Sequence, residues 1–346
     1  MNPVLITGGA GFFGHVLARY LLDKGLSVVS IDRMPDNFTH ENYKSYLGDI
    51  RDAPLVNRLF DKHRFEAVYH CAAILAHVKD DMDILWSSNV DGTAIVAEAA
   101  KKFGVKSFVF ISSNCLWAEN LGRPVREDDT PAPIEIYGRS KWEGEKILER
   151  YGQDFSVSIL RTPTIMDEGR LGLLTLLFDF IREGRKVWVV GGGANCYQFI
   201  YAKDLADACE RCTKLEKGTH LFNIGSDDVK SFRDVYSTVI EKAGTKARVA
   251  SLPKAPTIWA MKIAYALGLS PLGPYQYKMI AEDFVFDTSR IKEALKWKPS
   301  LRNEDMLWLA YQFYARHYDE IVSRKNVSAH NQPAKMGIIK LLKWIS

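Results

Sequence analysis

The chain has 346 residues, 47% of them hydrophobic and 25% charged, which is the composition of an ordinary globular protein long enough for one large domain or two joined ones. Its formal net charge of +4 is too small to imply a nucleic-acid partner, and no apolar run approaches the ~18 residues that span a bilayer. Five cysteines (Cys71, Cys115, Cys196, Cys209, Cys212) show no disulfide framework, and a strand-like run begins within three residues of Met1, so reduced cytoplasm is the expected location. Cys209 and Cys212 form a C-x-x-C, but within a helical run and without a second pair, so no metal is expected.

Pro3 to Thr7 is a short apolar run that stops at Gly8-Gly-Ala-Gly11-Phe12-Phe13-Gly14. A helical pattern follows to Lys24, and a second strand, Ser27 to Ile31, is closed by Asp32. Glycines spaced G-x-x-G-x-x-G after a strand and before a helix let the backbone approach a pyrophosphate at the helix N-terminus. An acid about 20 residues on suits ribose hydroxyls. Asp32 would repel a 2′-phosphate, favouring NAD over NADP, although Arg33 beside it could receive one.

The alternation continues with Gly48-Asp49-Ile50, a helix from Ala53 to Lys62, a strand from Phe65 to Ala73, a helix from Asn89 to Phe103 and a strand from Val105 to Ser113. Strands separated by helices predict an α/β fold with a Rossmann-type, doubly wound parallel sheet, whose ligands bind beyond the carboxyl ends of the strands. Gly8, Asp32, Asp49, Ala72, Ser112 and Ser113 all fall at such ends.

Next comes Tyr137-Gly-Arg-Ser-Lys141 at the start of a helix-forming segment. Residues i and i+4 share a helix face, so phenol and ammonium can point into one site. A cation beside a tyrosine favours the phenolate and would bring its pKa of about 10 toward that of a useful base.

Further on, Phe155 to Arg161 reads as a strand, Leu171 to Arg182 as a helix and Lys186 to Val190 as a strand before the loop Gly191 to Asn195. Phe199 to Tyr201 enters a helix, Leu205 to Leu215, for which Asp204 is the expected cap; His220 to Gly225 returns as a strand and Ser231 caps Phe232 to Ala243. The stretch from Pro253 to Pro274 is apolar and aromatic. The expected division is a Rossmann domain over 1–165, rejoined by about 196–225, and a smaller, mostly helical substrate lobe from 166–195 and 226–325. Residues 326–346 read as a polar linker and a basic amphipathic tail, with Ile338, Leu341, Leu342 and Ile345 on one helical face. That composition suits an in-plane contact of 336–346 with a membrane surface.

Taken together, the glycine loop, Asp32, Gly48-Asp49, His70-Cys-Ala-Ala73, Asn89-x-x-Gly92-Thr93, Ile111-Ser-Ser113, Tyr137-x-x-x-Lys141, Leu160-Arg-Thr-Pro163, Phe199-Ile-Tyr201 and Asp287-Thr-Ser-Arg290 resemble the extended short-chain dehydrogenase/reductase superfamily, in its NAD-dependent epimerase/dehydratase branch. The resemblance covers about residues 3–320. It implies a catalytic triad of Ser113, Tyr137 and Lys141: Tyr137 the acid/base, Lys141 on the nicotinamide ribose, Ser113 orienting the substrate hydroxyl. It also implies NAD contacts from Gly8, Gly11, Phe12, Phe13, Gly14, Asp32, Arg33, Asp49, Ile50, Cys71, Ala72, Ala73, Asn89, Ser112 and Thr162 besides Tyr137 and Lys141. Substrate contacts fall on Ile74, Asn114, Cys115, Thr164, Asn195, Tyr197 and Gln198, and a homodimer through the helices flanking Asn89 and Tyr137 is common in the superfamily.

Departures narrow the chemistry. Where 4,6-dehydratases carry an acidic pair after the catalytic serine or threonine, this chain has Asn114 and Cys115, which argues against dehydration. Thr164 stands where nucleotide-sugar epimerases have an asparagine, Tyr197 where they have a phosphate-holding arginine, and Met279 to Phe286 lacks a second arginine, with Lys278 or Asn195 as other routes to a phosphate. The reading is an NAD-dependent sugar epimerase, acting through a transient ketone at C4 of a nucleotide- or lipid-linked sugar. The alternatives are a dehydrogenase of a steroid-like or other apolar hydroxyl and a non-catalytic NAD-binding partner protein.

Overall fold

The computed structural model describes residues 2–75, 82–117, 120–268 and 279–323. Its centre is a seven-stranded sheet built from β1 (Val4–Thr7), β2 (Val28–Asp32), β3 (Tyr43–Leu47), β4 (Ala67–His70), β5 (Ser107–Ser113), β6 (Ser156–Thr162) and β10 (Gly218–Asn223). The order is β10-β6-β5-β4-β1-β2-β3 and every neighbouring pair is parallel. Strands buried on both faces read as unbroken apolar runs, and β1 and β4 are buried at all four positions.

Helices cover both faces. On one, α1 (Phe12–Asp23) turns Leu17, Ala18, Leu21 and Leu22 inward against α7 (Ala202–Cys212), with Cys209 and Cys212 inside the same core. Burial of each such leucine stabilises the fold by about 2 kcal/mol. On the other face lie α2 (Ala53–His63), α4 (Gly92–Lys102) and α5 (Ile136–Glu149) around Phe60, Val96, Phe108 and Phe155. A short helix α3 (Met82–Trp86) runs into a π-helical turn, Ser87–Asp91, before α4, where one regular helix from Asn89 is expected from sequence. Such turns widen a helix locally and recur at functional sites.

The lobe is built from α6 (Leu174–Arg182), α8 (Phe232–Ala243), α9 (Lys254–Ala266), α11 (Asn303–Arg316) and α12 (Tyr318–Ser323). Two small parallel sheets join it, β7 (Thr164–Met166) with β9 (Phe199–Tyr201) and β8 (Lys186–Val190) with β11 (Arg248–Leu252). Ser231 caps α8 through the Asp234 N–H, as expected, at 3.2 Å. Asp204 does not cap α7: the residue before that helix is Tyr201, and the Asp204 carboxylate accepts from the N–H and hydroxyl of Ser300. The stretch expected to be lobe over 226–325 is divided, because α10 (Ser289–Leu295) and Trp297 pack into the α1–α7 core of the Rossmann domain. The expected tail, 326–346, lies outside the described residues.

Candidate active site

The cofactor cleft begins where β1 ends. Gly8 has φ +74°, and a Cβ there would sit 2.8 Å from the Ala72 backbone, so only glycine lets the loop cross the end of β4. Gly11 precedes α1, and no side chain caps that helix or places an acid in its first turn. Its N-terminus, at Phe12, Phe13 and Gly14, is therefore a positive end suited to a pyrophosphate. Asp32 accepts from the N–H groups of Ala10 (3.0 Å) and Met34 (2.9 Å), one at each oxygen, leaving lone pairs for ribose hydroxyls. Burial raises its pKa against those backbone bonds. Arg33, the rival phosphate acceptor, is turned to Asp49 at 3.5 Å, which Arg51 grips as well at 2.7 Å. Ile50 is buried against the backbone of Gly92.

A chain of hydrogen bonds ties this cleft to α5. The Ala72 N–H donates to the Thr7 hydroxyl (3.2 Å), which pairs with His70 Nδ1 (2.8 Å); His70 Nε2 pairs with Thr93 Oγ1 (2.9 Å), whose hydroxyl donates to the Asn89 carbonyl (2.7 Å). Since each hydroxyl has one proton, the network assigns the proton of His70 to Nε2. Burial holds His70 down at about 3, so the ring is neutral. Asn89 sits on the π turn. Its amide accepts from the Ile74 N–H and donates to the Ile74 carbonyl and the Ser140 hydroxyl, and Ser140 donates to the Tyr137 carbonyl. The stretch of Cys71, Ala72, Ala73 and Ile74 after β4 is thus fixed in position against α5.

Tyr137 and Lys141 stand on the face of α5 that looks at the end of β5. Gly138 between them is required by close approach, because a Cβ would fall 2.2 Å from the Cys115 carbonyl oxygen. The Ser113 hydroxyl hydrogen-bonds the Tyr137 phenol and accepts from the Cys115 N–H at 3.1 Å. Ser113 and Tyr137 are thus in contact, and Lys141 follows one helical turn further along α5. Their electrostatics differ from expectation. Burial pushes the Tyr137 pKa up, the Cys115 thiol adds to that, and the Ser113 hydroxyl and Arg170 oppose it. Lys141 is itself shifted by burial. It is 2% exposed, its Nζ rests 3.9 Å from the Phe110 ring centroid, and burial lowers its pKa to about 7, opposed by Glu145 and Cys71.

Three charged residues here have partners that the sequence does not announce. Glu145, two helical turns beyond Tyr137, pairs with Arg161 of β6 at 2.7 Å in a fully buried bridge, and Arg161 also donates to the Glu127 carbonyl. Arg170 lies 5.6 Å from the Phe12 ring centroid, which puts a cation between the glycine loop and Tyr137. None of the three is adjacent in sequence to the residue it serves.

The expected substrate residues fare unevenly. Asn114 donates to the Tyr197 hydroxyl at 2.6 Å across the seam between domain and lobe, so these two are brought together. Thr164 and Cys115 are half-buried, and Asn195 lies 3.3 Å from the Glu282 carbonyl. Gln198 is 1% exposed and spends its amide on the Ser226 carbonyl and the Phe286 N–H, which makes it a staple of the seam rather than a sugar contact. Of the expected cofactor contacts, Ser112 donates its hydroxyl to Glu145 at 2.5 Å and Thr162 donates to the Ser112 carbonyl, so both face the interior. A cavity of about 600 Å³ opens behind Gln198 and Phe284, but neither Ser113, Tyr137 nor Lys141 lines it. Lys278 lies outside the described residues. Among the described residues no group of three or more His, Cys, Asp or Glu is placed to hold a metal ion.

Comparison with known proteins gives the same fold and a family. Residues 4–225 match the family model of the NAD dependent epimerase/dehydratase family. The y4nG protein of Sinorhizobium fredii is 35% identical over 99% of this chain and 86% of its own. A UDP-glucose 4-epimerase of Neisseria meningitidis is 30% identical over 68% of this chain and 80% of its own. Among solved structures, the UDP-glucose 4-epimerase of Thermotoga maritima with UDP-glucose superposes with a TM-score of 0.75 at 23% identity, over 91% of this chain and 99% of that one. The Bordetella bronchiseptica enzyme WbmG with NAD gives 0.75 at 23% identity, over 91% and 94%.

Proposed function

Given that the chain belongs to the NAD dependent epimerase/dehydratase family, and so is an NAD-dependent enzyme of the extended short-chain dehydrogenase/reductase type, we propose that it epimerises a sugar at C4 through a transient ketone. When bound, NAD supplies the hydride acceptor and a positive ring that favours the Tyr137 phenolate. The open N-terminus of α1, the Asp32 carboxylate and the β4 loop fixed by Asn89 fit that cofactor. Tyr137, once ionised, takes the proton of the substrate hydroxyl as hydride leaves the carbon, and returns it when hydride comes back to the other face. Ser113, held by the Cys115 N–H, orients that hydroxyl. One observation carries epimerisation over dehydration. The positions that would need a further acid and base hold Asn114, tied to the Tyr197 hydroxyl, and Cys115.

The substrate reading is a nucleotide-linked sugar, supported by the similarity to a UDP-glucose 4-epimerase, with a lipid-linked sugar next to it. The buried, neutral Tyr197 at a position where related epimerases hold phosphate with an arginine favours the second. It also favours the alternative of net oxidation of an apolar hydroxyl. We place the enzyme in the cytoplasm, where its five free cysteines stay reduced, as a homodimer through α4 and α5 and with peripheral membrane contact through 336–346. UDP-glucose carrying deuterium at C4 tests the chemistry. Epimer that keeps the label, with no reduced cofactor released, is expected; reduced NAD growing in step with substrate loss would overturn it.

A further inference from the structure

The apolar stretch after β11 folds into α9, and α9 does not bury what it carries. Its sole buried residue is Ala264. Trp259, Ile263 and Leu267, the last just past its end, are 68%, 39% and 67% exposed. They follow one another at i, i+4 and i+8, so each is rotated about 40° from the last and the three form one outward stripe. Ala255, Pro256, Ala260 and Ala266 are exposed beside them, and Lys262 is the one charge on that side. Ile258, Met261 and Tyr265 turn toward the protein. A helix that is apolar all round belongs in a core, and one left in water marks a surface that something covers.

The charge around it says what. Between Glu241 and Glu282 the sequence has no acidic residue, while Lys242, Lys246, Arg248, Lys254, Lys262 and Lys278 are basic. Lys242 is engaged by Asp305. Lys246, Arg248, Lys254 and Lys262 are exposed and make no ion pair among the described residues. We infer that α9 lies flat on an anionic bilayer, with Trp259, Ile263 and Leu267 entering the headgroup–acyl boundary and these basic side chains meeting lipid phosphates. At 13 residues the helix is about 20 Å long, too short to cross, and its apolar arc with a tryptophan and basic flanks suits the membrane interface. A second copy fits less well, since a twofold contact through this face would bring the same basic set to both sides with no acidic residue between Glu241 and Glu282 to answer it. The inference stands apart from the chemistry proposed above and deepens only its lipid reading.

The test uses the full-length protein with vesicles of phosphatidylcholine alone and with about a third phosphatidylglycerol, an anionic surface of the kind basic segments seek. Wild type is expected to sediment with the anionic vesicles at low salt. The double variant Trp259→Glu, Leu267→Glu should lose at least about tenfold in the bound fraction, and Lys254→Glu, Lys262→Glu a smaller amount that salt erases. All should keep wild-type NAD binding and turnover of a soluble sugar nucleotide, which separates a docking defect from a folding or catalytic one. Brominated acyl chains should quench wild type more than Trp259→Phe. Equal sedimentation of wild type and the Trp259/Leu267 variant, equal quenching of wild type and Trp259→Phe, no binding of wild type to anionic vesicles, or a smaller oligomer as the double variant's one defect would each overturn the proposal.

Discussion

Tyr137 and Lys141 are one helical turn apart, and burial acts on their protons in opposite senses. It raises the phenol and lowers the ammonium, because in each case the charged form is the one that loses water. A phenol held high is scarcely ionised near neutral pH, so the proposed reaction depends on charge brought to it, and Tyr137→Phe should reduce turnover at least about a thousandfold while NAD affinity, expected from the glycine loop and Asp32, stays within a few-fold. Isothermal titration beside a turnover assay checks both halves; near-normal turnover by the variant would remove Tyr137 from the mechanism. Lys141 makes a stability prediction. With its pKa lowered from 10.5 to about 7, the unfolded chain binds the proton more readily between those values. Stability of the NAD-free protein from this group is full above pH 10.5 and is lost as pH falls toward about 7, by on the order of 1 kcal/mol per pH unit. Lys141→Met keeps the packing over Phe110 and removes the titration. Urea midpoints measured across that range should therefore fall with decreasing pH in wild type more steeply than in the variant.

At the scale of elements, α5 can carry the proposed catalytic pair up to β5 because Gly138 lets it press on the Cys115 carbonyl. Gly138→Ala adds a methyl that would meet that oxygen at 2.2 Å, so the helix must retreat from β5 and carry Tyr137 away from Ser113. The expected result is a loss of about tenfold to a hundredfold in kcat, with destabilisation of about 1–3 kcal/mol by urea unfolding and NAD affinity little changed. What sequence makes legible here is what is local. The glycine loop, the acid closing β2 and the Tyr-x-x-x-Lys spacing each lie within one element or one turn, so periodicity and spacing find them. The Glu145–Arg161 bridge joins a helix to a strand, and the chain from Thr7 through His70 and Thr93 to Asn89 joins four segments. No local pattern announces either. The π turn at Ser87–Asp91 is invisible for the same reason: an amphipathic repeat tolerates one extra residue, and only the Asn89 contact with Ile74 shows why it is needed. Ser112 and Gln198 mislead in the opposite direction, being polar residues beside motifs whose side chains turn inward to meet partners far away in sequence.

Across the whole molecule, domain and lobe are interleaved. The chain leaves the Rossmann sheet after β6, returns for α7 and β10, leaves again, and comes back once more to place α10 and Trp297 in the core. Each crossing strands backbone polar groups in a dry seam, and buried polar groups need partners. Asn303, the first residue of α11, supplies several at once. Its Oδ1 accepts from the Phe199 N–H at 3.0 Å and the Ser226 hydroxyl at 2.8 Å, and its Nδ2 donates to the Tyr197 carbonyl at 2.7 Å. Tyr197 in turn holds Asn114 beside Ser113, so a lobe residue steadies the proposed substrate side of the site through one intermediary. Asn303→Ala would leave the buried Phe199 N–H and Tyr197 carbonyl without this partner, at a cost of about 2–5 kcal/mol. Urea unfolding should show a lower midpoint with an unchanged slope. Asn303→Asp keeps both acceptor contacts but loses the donor to Tyr197, so it should recover part of that stability while still weakening substrate. A rise in KM with kcat nearly constant is the expected signature, because the lesion lies at the sugar side and leaves Tyr137 and Lys141 in place. Loss of kcat in both variants with KM unchanged would show instead that the seam positions the reacting groups themselves.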